Sequence, residues 1–192
     1  MNTSDLPIIA FETIEKWEDW LAKNHTKSSG IWLKFFKKNS GIKTITYDEA
    51  LDAALCYGWI DSQLQKYNDK AYLQKFTPRR AKSIWSKRNR EHIERLIKQK
   101  RMQPAGLKQV EQAKQDGRWN QAYDKPSAME MPEDFLQELA KDKKAESFFK
   151  TLTKANTYAI AWRLQTAKKP ETREKRMKTI LAMLSKGEKF HE

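Results

Sequence analysis

A helix, a turn and a strand follow one another in Ala54-Leu55-Cys56-Tyr57-Gly58-Trp59-Ile60-Asp61-Ser62. Small apolar residues at helical spacing lead to a glycine, and the strand beyond it carries an acidic residue after two apolar ones. Thr46 and Glu49, three positions apart, match a capping box, so the helix is predicted to begin there and to end near Gly58. Polar residues at 67–70 predict a hairpin turn into a second strand, 71–76.

Similar patterns extend outward from this unit. Apolar residues predict strands over 8–11 and 31–36, and helical spacing predicts a helix over 13–23. A longer helix is predicted from Ser83, as its N-cap, to about residue 100. From residue 132 onward the apolar residues recur only at helical spacing.

These patterns together predict an α+β fold, in which a small antiparallel sheet packed with helices is followed by an all-helical C-terminal region. We expect an α+β domain over residues 1–120, a linker over 121–131 and the helical region over 132–192. The tryptophans Trp85, Trp119 and Trp162 are expected in the core rather than on a stacking surface, because each lies on an apolar helix face or at a closing turn.

The positive charge is concentrated in two blocks. The 192 residues carry a net charge of +13, and residues 66–120 hold 16 basic and 5 acidic residues, while residues 141–192 hold 14 and 6. Such blocks indicate either a patch that faces an anionic partner or a lysine-rich solvated surface. We expect nucleic-acid binding to be weak, because no stretch interleaves aromatic and basic residues as single-strand binders do.

Several chemistries have no matching motif in the sequence. There is neither a GxGxxG nor a phosphate loop, and the three histidines have no partners at ligand spacing, so no cofactor, metal site or catalytic residue is predicted. The single cysteine, Cys56, is expected to be buried and inert, although a dyad with a histidine is formally open. One cysteine, no apolar run of about 20 residues and no export signal in residues 1–6 favour a cytoplasmic protein with no membrane span.

A polar group of six residues forms the predicted binding site, for a small anionic ligand or a protein: Asp61, Arg79, Arg80, Ser83, Ser86 and Asn89. Guanidinium groups beside a helix N-terminus can bind a phosphate or a carboxylate. Asp61 can bind a cationic group or pair with one of the two arginines. In the alternative interpretation the whole group is structural, with Ser83 as a cap and one arginine paired to Asp61.

With these residues identified, the sequence resembles the bacterial YdeI/OmpD-associated family, also called bacteriocin-protection proteins. The resemblance runs over nearly the whole chain, and its motifs include Trp17-Glu18-Asp19-Trp20-Leu21, Tyr47-Asp48-Glu49-Ala50-Leu51, the segment 54–62, Phe76-Thr77-Pro78-Arg79-Arg80 and Ala167-Lys168-Lys169-Pro170-Glu171-Thr172-Arg173. It implies a role in resistance to antibacterial peptides and names no reaction.

The leading hypothesis is therefore a cytoplasmic, non-enzymatic binding protein of a stress or peptide-protection type. The alternatives are a weak, non-specific nucleic-acid-binding protein and an enzyme that acts on a small anionic substrate with Asp61 as its base.

Overall fold

A computed structural model describes residues 6–124 and 128–191 of the chain. The chain divides into two compact units, Met1–Ala122 and Tyr123–Glu192. Residues 125–127 of the predicted linker, and residues 1–5 of the segment inspected for an export signal, lie outside the described residues.

The first unit is an α+β arrangement, as predicted. Its elements are β1 (Ile8–Ile9), α1 (Ile14–Asn24), β2 (Ile31–Phe36), a short 3-10 helix (Lys38–Ser40), α2 (Tyr47–Cys56), β3 (Trp59–Lys66), β4 (Ala71–Pro78), α3 (Lys87–Lys98) and α4 (Pro104–Gln115).

The four strands form one mixed sheet in the order β1-β2-β4-β3. The pairs β2–β4 and β3–β4 are antiparallel, as predicted, whereas β1 runs parallel to β2, which makes the sheet mixed at this edge. The reason is that α1 lies between β1 and β2 in the chain and provides the crossover that parallel strands require.

One face of the sheet packs into the core, and we call it the core face. The register places Ile31 beside Phe76, and both side chains are fully buried. The tryptophan rings of α1 pack edge-on against this face. The ring centroid of Trp17 lies 5.9 Å from that of Phe76, and the ring centroid of Trp20 lies 5.7 Å from that of Trp59. The opposite face, which we call the outer face, carries the alternate residues of β2 and β4.

Helix α2 has both ends that the sequence predicts. Thr46 accepts a hydrogen bond from the Glu49 backbone N–H, and the Glu49 side chain accepts one from the Thr46 backbone N–H, which completes the capping box. At the other end Gly58 has a φ of +74°, and a Cβ added at Gly106 in α4 would lie 2.2 Å from the Cys56 carbonyl oxygen. The glycine in α4 therefore lets the two helix backbones touch.

The second unit is helical throughout its regular elements, which confirms the prediction for this region. Its helices are α5 (Glu133–Leu139), α6 (Lys143–Lys150), α7 (Lys154–Gln165) and α8 (Pro170–Ser185). Their apolar faces share a core that includes Phe135, Leu139, Ile160, Leu164 and Ile180.

Among the described residues, no helix combines the length and the apolar character that crossing a bilayer requires.

Candidate functional site

Asp61 lies on the core face, on the same side of β3 as Trp59. Its Oδ2 accepts a hydrogen bond of 2.8 Å from the Tyr47 hydroxyl, which ties β3 to the first turn of α2. Burial raises the pKa of Tyr47, and the carboxylate of Asp61 raises it further, so the phenol stays protonated. The Tyr47 hydroxyl is thus one established partner of Asp61, and a pairing of Asp61 with Arg79 or Arg80 stays a prediction.

Arg79 is 7% exposed and follows β4 directly. Its Nη2 donates a hydrogen bond of 2.9 Å to the Ile84 carbonyl oxygen, and its guanidinium carbon lies 3.7 Å from the Trp85 ring centroid. Arg118 donates in the same way to the Ser83 carbonyl oxygen, at 2.8 Å. These contacts hold the segment 79–86 in place. Arg80 is exposed, and an anion site at the two arginines stays a prediction.

Helix α3 begins at Lys87, and Ser86 is its N-cap, accepting a hydrogen bond of 3.1 Å from the Asn89 backbone N–H. The prediction of Ser83 as the cap is therefore wrong by three positions. The reason is that Trp85 is buried against Trp119, with 5.1 Å between ring centroids, while the Ser83 carbonyl binds Arg118. The segment before Ser86 is consequently irregular rather than helical.

Cys56 is buried, and burial raises the pKa of its thiol to about 11. A thiol with that pKa is protonated near neutral pH and is a poor nucleophile. The structure therefore agrees with a structural role for this cysteine.

Sequence reasoning missed a cluster that joins α2 to α3. Asp52 is 7% exposed, and its Oδ1 lies 2.6 Å from Nδ1 of His92 and 2.7 Å from Nη2 of Arg95. Histidine and arginine together compensate the buried carboxylate, which would otherwise be costly to bury. The one signal in the sequence is an aspartate inside the apolar run Leu51-Asp52-Ala53-Ala54-Leu55.

The second unit holds a pocket of about 430 Å³, which we call the C-terminal pocket. It is lined by α7, α8 and the residue Phe190, through the side chains Trp162, Arg163, Thr172, Lys175, Arg176, Thr179, Ile180 and Phe190. The volume falls in the range of small-molecule sites. Trp162 was expected in the core, and it is half-buried and lines this pocket instead.

Two guanidinium groups dominate the electrostatics of the C-terminal pocket. Arg163 donates to the Ala159 carbonyl oxygen at 3.1 Å and lies 3.8 Å from the Phe190 ring centroid. Arg176 donates to the Arg163 carbonyl oxygen at 2.7 Å, near the end of α7. Burial lowers the pKa of Arg163, and the neighbouring Arg176 cation lowers it further. Neither arginine pairs with a carboxylate among the residues that the structure describes.

The buried side-chain amide of Asn156 positions Phe190, which forms part of the lining of the C-terminal pocket. Asn156 is 2% exposed, and its Oδ1 accepts hydrogen bonds from the backbone N–H groups of Phe190 and His191, at 3.0 and 2.9 Å. Its Nδ2 donates to the His191 carbonyl oxygen at 3.1 Å. These three hydrogen bonds fix the backbone of Phe190 and His191 and thereby hold the Phe190 ring beside Arg163.

The C-terminal pocket offers guanidinium, ammonium and hydroxyl groups, which are donors to an anion rather than ligands for a metal. No group of three or more histidine, cysteine or carboxylate side chains is placed to bind a metal in the part of the chain that was described. The sequence signal for the pocket was weak: a single arginine in the apolar run Ala159-Ile160-Ala161-Trp162-Arg163-Leu164.

Two family models match the chain. One is described as a domain of unknown function (DUF8412) and matches residues 9–109, and the other is described as bacteriocin-protection, YdeI or OmpD-associated and matches residues 128–187. The resemblance seen in the sequence is thus confirmed over 128–187, a range that contains every lining residue of the C-terminal pocket except Phe190. Most motifs that suggested it lie outside that range, before residue 120. No curated protein and no solved structure matches the chain.

Proposed function

The chain belongs to the DUF8412 domain family, and we propose that it is a non-enzymatic binding protein that holds a small organic anion in its C-terminal pocket. The observation that carries the proposal is the pair Arg163 and Arg176, which share one pocket without a carboxylate partner among the described residues. An anion bound between them would relieve their mutual repulsion and satisfy their remaining N–H donors.

The apolar walls define the rest of the ligand. Trp162, Ile180 and Phe190 surround the cationic groups, so a ligand with an aromatic or aliphatic body attached to a carboxylate or phosphate fits better than an inorganic ion. The hydroxyl group of Thr172 can donate one further hydrogen bond, whereas that of Thr179 already donates to the Lys175 carbonyl oxygen at 2.9 Å.

Binding suits these groups better than catalysis does. A guanidinium remains protonated throughout the physiological range and therefore orients an anion without exchanging protons with it. We place the protein in the cytoplasm, in keeping with its free and buried Cys56. The role that we propose for ligand binding is the protection from bacteriocins named for the family matched over residues 128–187.

Titration calorimetry on the full chain tests the pocket. Benzoate and phenyl phosphate are the probes, inorganic phosphate tests the need for an apolar body, and benzamide tests the need for a charge. We expect both organic anions to bind, and Arg163→Gln to weaken them by about tenfold or more, the cost of one charge-assisted hydrogen bond.

Lys154→Gln is the matched control, because it removes a positive charge from the first turn of the same helix. It should change the affinity by less than about twofold, the level of a surface charge. Melting curves of both variants verify that they fold. Equal binding of benzamide and benzoate, or full affinity in a folded Arg163→Gln variant, would refute the proposal.

A further inference from the structure

The outer face of the sheet interleaves aromatic rings with lysines. Trp32, Lys34 and Phe36 project from β2 on the side opposite the core face, and the register pairs Trp32 with Lys75 and Lys34 with Leu73 on β4. The ammonium of Lys34 lies 4.4 Å from the Tyr67 ring centroid and 4.8 Å from that of Phe36. The ammonium of Lys75 lies 5.6 Å from the Trp32 ring centroid.

The burial of Lys75 on the outer face is a second observation, independent of the ring contacts. Lys75 is 7% exposed, yet within the described residues its ammonium has neither an ion pair nor a hydrogen bond, and it lies over the Trp32 ring. A lysine so deeply buried is almost always paired with an anion.

Lys34 adds a second cation to the same surface. Cross-strand pairing makes Lys34 and Lys75 diagonal neighbours on one face, where like charges repel. Lys34 also forms no ion pair with any residue that the structure describes. The outer face therefore presents two uncompensated ammonium groups among three aromatic rings.

We propose that the outer face binds single-stranded nucleic acid, with backbone phosphates at Lys34 and Lys75 and bases stacked on Trp32, Phe36 and Tyr67. Rings that alternate with cations are what sequence-tolerant single-strand binding needs. This surface shares no residue with the C-terminal pocket, so the two proposals stand or fall separately.

The spacing of the strand favours a single strand over a duplex. Residues that alternate along a strand repeat about every 6.7 Å, twice the rise per residue. Trp32 and Phe36 are two such repeats apart, or about 13 Å, which is well beyond the 3.4 Å between stacked bases of one DNA strand, so the bases must be splayed apart for each to meet its own ring. A duplex keeps its base faces stacked internally and cannot make these contacts. The net charge of +11 over residues 66–120, from 16 basic and 5 acidic residues, attracts any polyanion.

Fluorescence anisotropy with the full chain tests this. The probe is a labelled oligothymidylate of about 12 nucleotides, within the site sizes of sheet-based binders, and the competitors are the corresponding duplex and polyglutamate. We expect the single strand to bind at least about tenfold more tightly than either competitor. In a salt series the double variant Lys34→Gln and Lys75→Gln should reduce the slope of log K against log salt by about 1.4, which is 0.7 for each lost phosphate contact on a single strand.

Lys70→Gln is the control, because Lys70 is exposed in the hairpin turn and carries the same charge. It should leave the affinity within about twofold, as expected of a surface charge. If burial of the new glutamine at position 75 impairs folding, as melting curves will show, Lys34→Gln alone and Trp32→Leu test the surface, with expected losses of about threefold or more each. Equal affinity for single strand and duplex, an unchanged salt slope in the folded variants, or tighter binding of polyglutamate would overturn the proposal.

Discussion

Trp59 anchors the first unit at the point where α2 gives way to β3. Its ring is 1% exposed, meets Trp20 edge-on, and its Nε1 donates a hydrogen bond of 3.1 Å to the His25 carbonyl oxygen. We expect Trp59→Ala to lower the free energy of unfolding by about 3–5 kcal/mol, because it leaves a large cavity and an unpaired carbonyl. Urea titration measures the change, with Trp59→Phe as the control that keeps an aromatic ring. A loss below about 1 kcal/mol in Trp59→Ala would contradict this role.

Cys56 should make stability depend on alkaline pH. Burial raises the pKa of its thiol from 9.0 to about 11, so the unfolded chain releases the proton at a lower pH than the folded chain does. The stabilising effect is complete below pH 9 and is lost as the pH rises toward 11. The loss amounts to about 2–3 kcal/mol for a shift of this size.

Urea titrations at pH 8 and pH 11 on the wild type and on Cys56→Ala isolate this effect. Tyr47 and Tyr72, which are half-buried and have raised pKa values, contribute equally to both proteins and cancel in the difference. An identical fall in stability for both proteins would mean that the thiol is accessible and ionises alike in both states.

The hydrogen-bond and ion-pair partners of individual residues were the feature hardest to predict from the sequence. Asp61 was selected for its place after two apolar strand residues, but its partner Tyr47 is 14 positions away. Asp52 and His92 are 40 positions apart and meet only because α2 packs on α3. Local patterns report the environment of one residue, whereas such pairs depend on how the elements pack.

At the scale of elements, local chemistry determined most boundaries. The capping box formed by Thr46 and Glu49 begins α2, as the sequence predicts. Gly58, in a left-handed conformation, follows the end of the helix, which the sequence also predicts. Both signals act within a few residues and do not depend on the tertiary structure.

Helix α3 departs from prediction because long-range packing overrode a local signal. Ser83 and Ser86 are equally good caps by residue type, and burial of Trp85 beside Trp119 selects the second. The direction of β1 follows from the crossover through α1 rather than from its own residues.

The two candidate binding surfaces also form at this scale. Trp32, Lys34 and Phe36 alternate along β2, but Tyr67 and Lys75 join them only through the hairpin and strand β4. The alternation along β2 is present in the sequence, but its completion by Tyr67 and Lys75 depends on strand pairing and is not. The C-terminal pocket is likewise formed by α7, α8 and Phe190 together, and no local sequence motif predicts it.

At the scale of the whole molecule, the net charge of +13 and a sequence pI near 9.7 keep the protein cationic from acidic pH to about pH 9. A large net positive charge attracts any polyanion, without preference for sequence. Lysine predominates in the block 141–192, and a lysine-rich surface favours contacts to phosphates, which do not depend on sequence. The net positive charge should therefore attract duplex DNA weakly and without sequence preference, whereas the outer face should bind single strands more tightly.

We accordingly expect random duplex DNA to bind only weakly, with a dissociation constant between about 1 µM and 0.1 mM near physiological salt. The affinity should fall linearly on a log–log plot against salt concentration and should be equal for unrelated sequences, because counterion release is its only source. Structured RNA, measured in the same salt series, should behave similarly. The variant Lys34→Gln with Lys75→Gln is the control: it removes two of 38 basic residues and should change duplex affinity only slightly. Nanomolar duplex binding near 0.15 M salt, or preference for one sequence, would instead indicate a duplex-reading site elsewhere on the molecule.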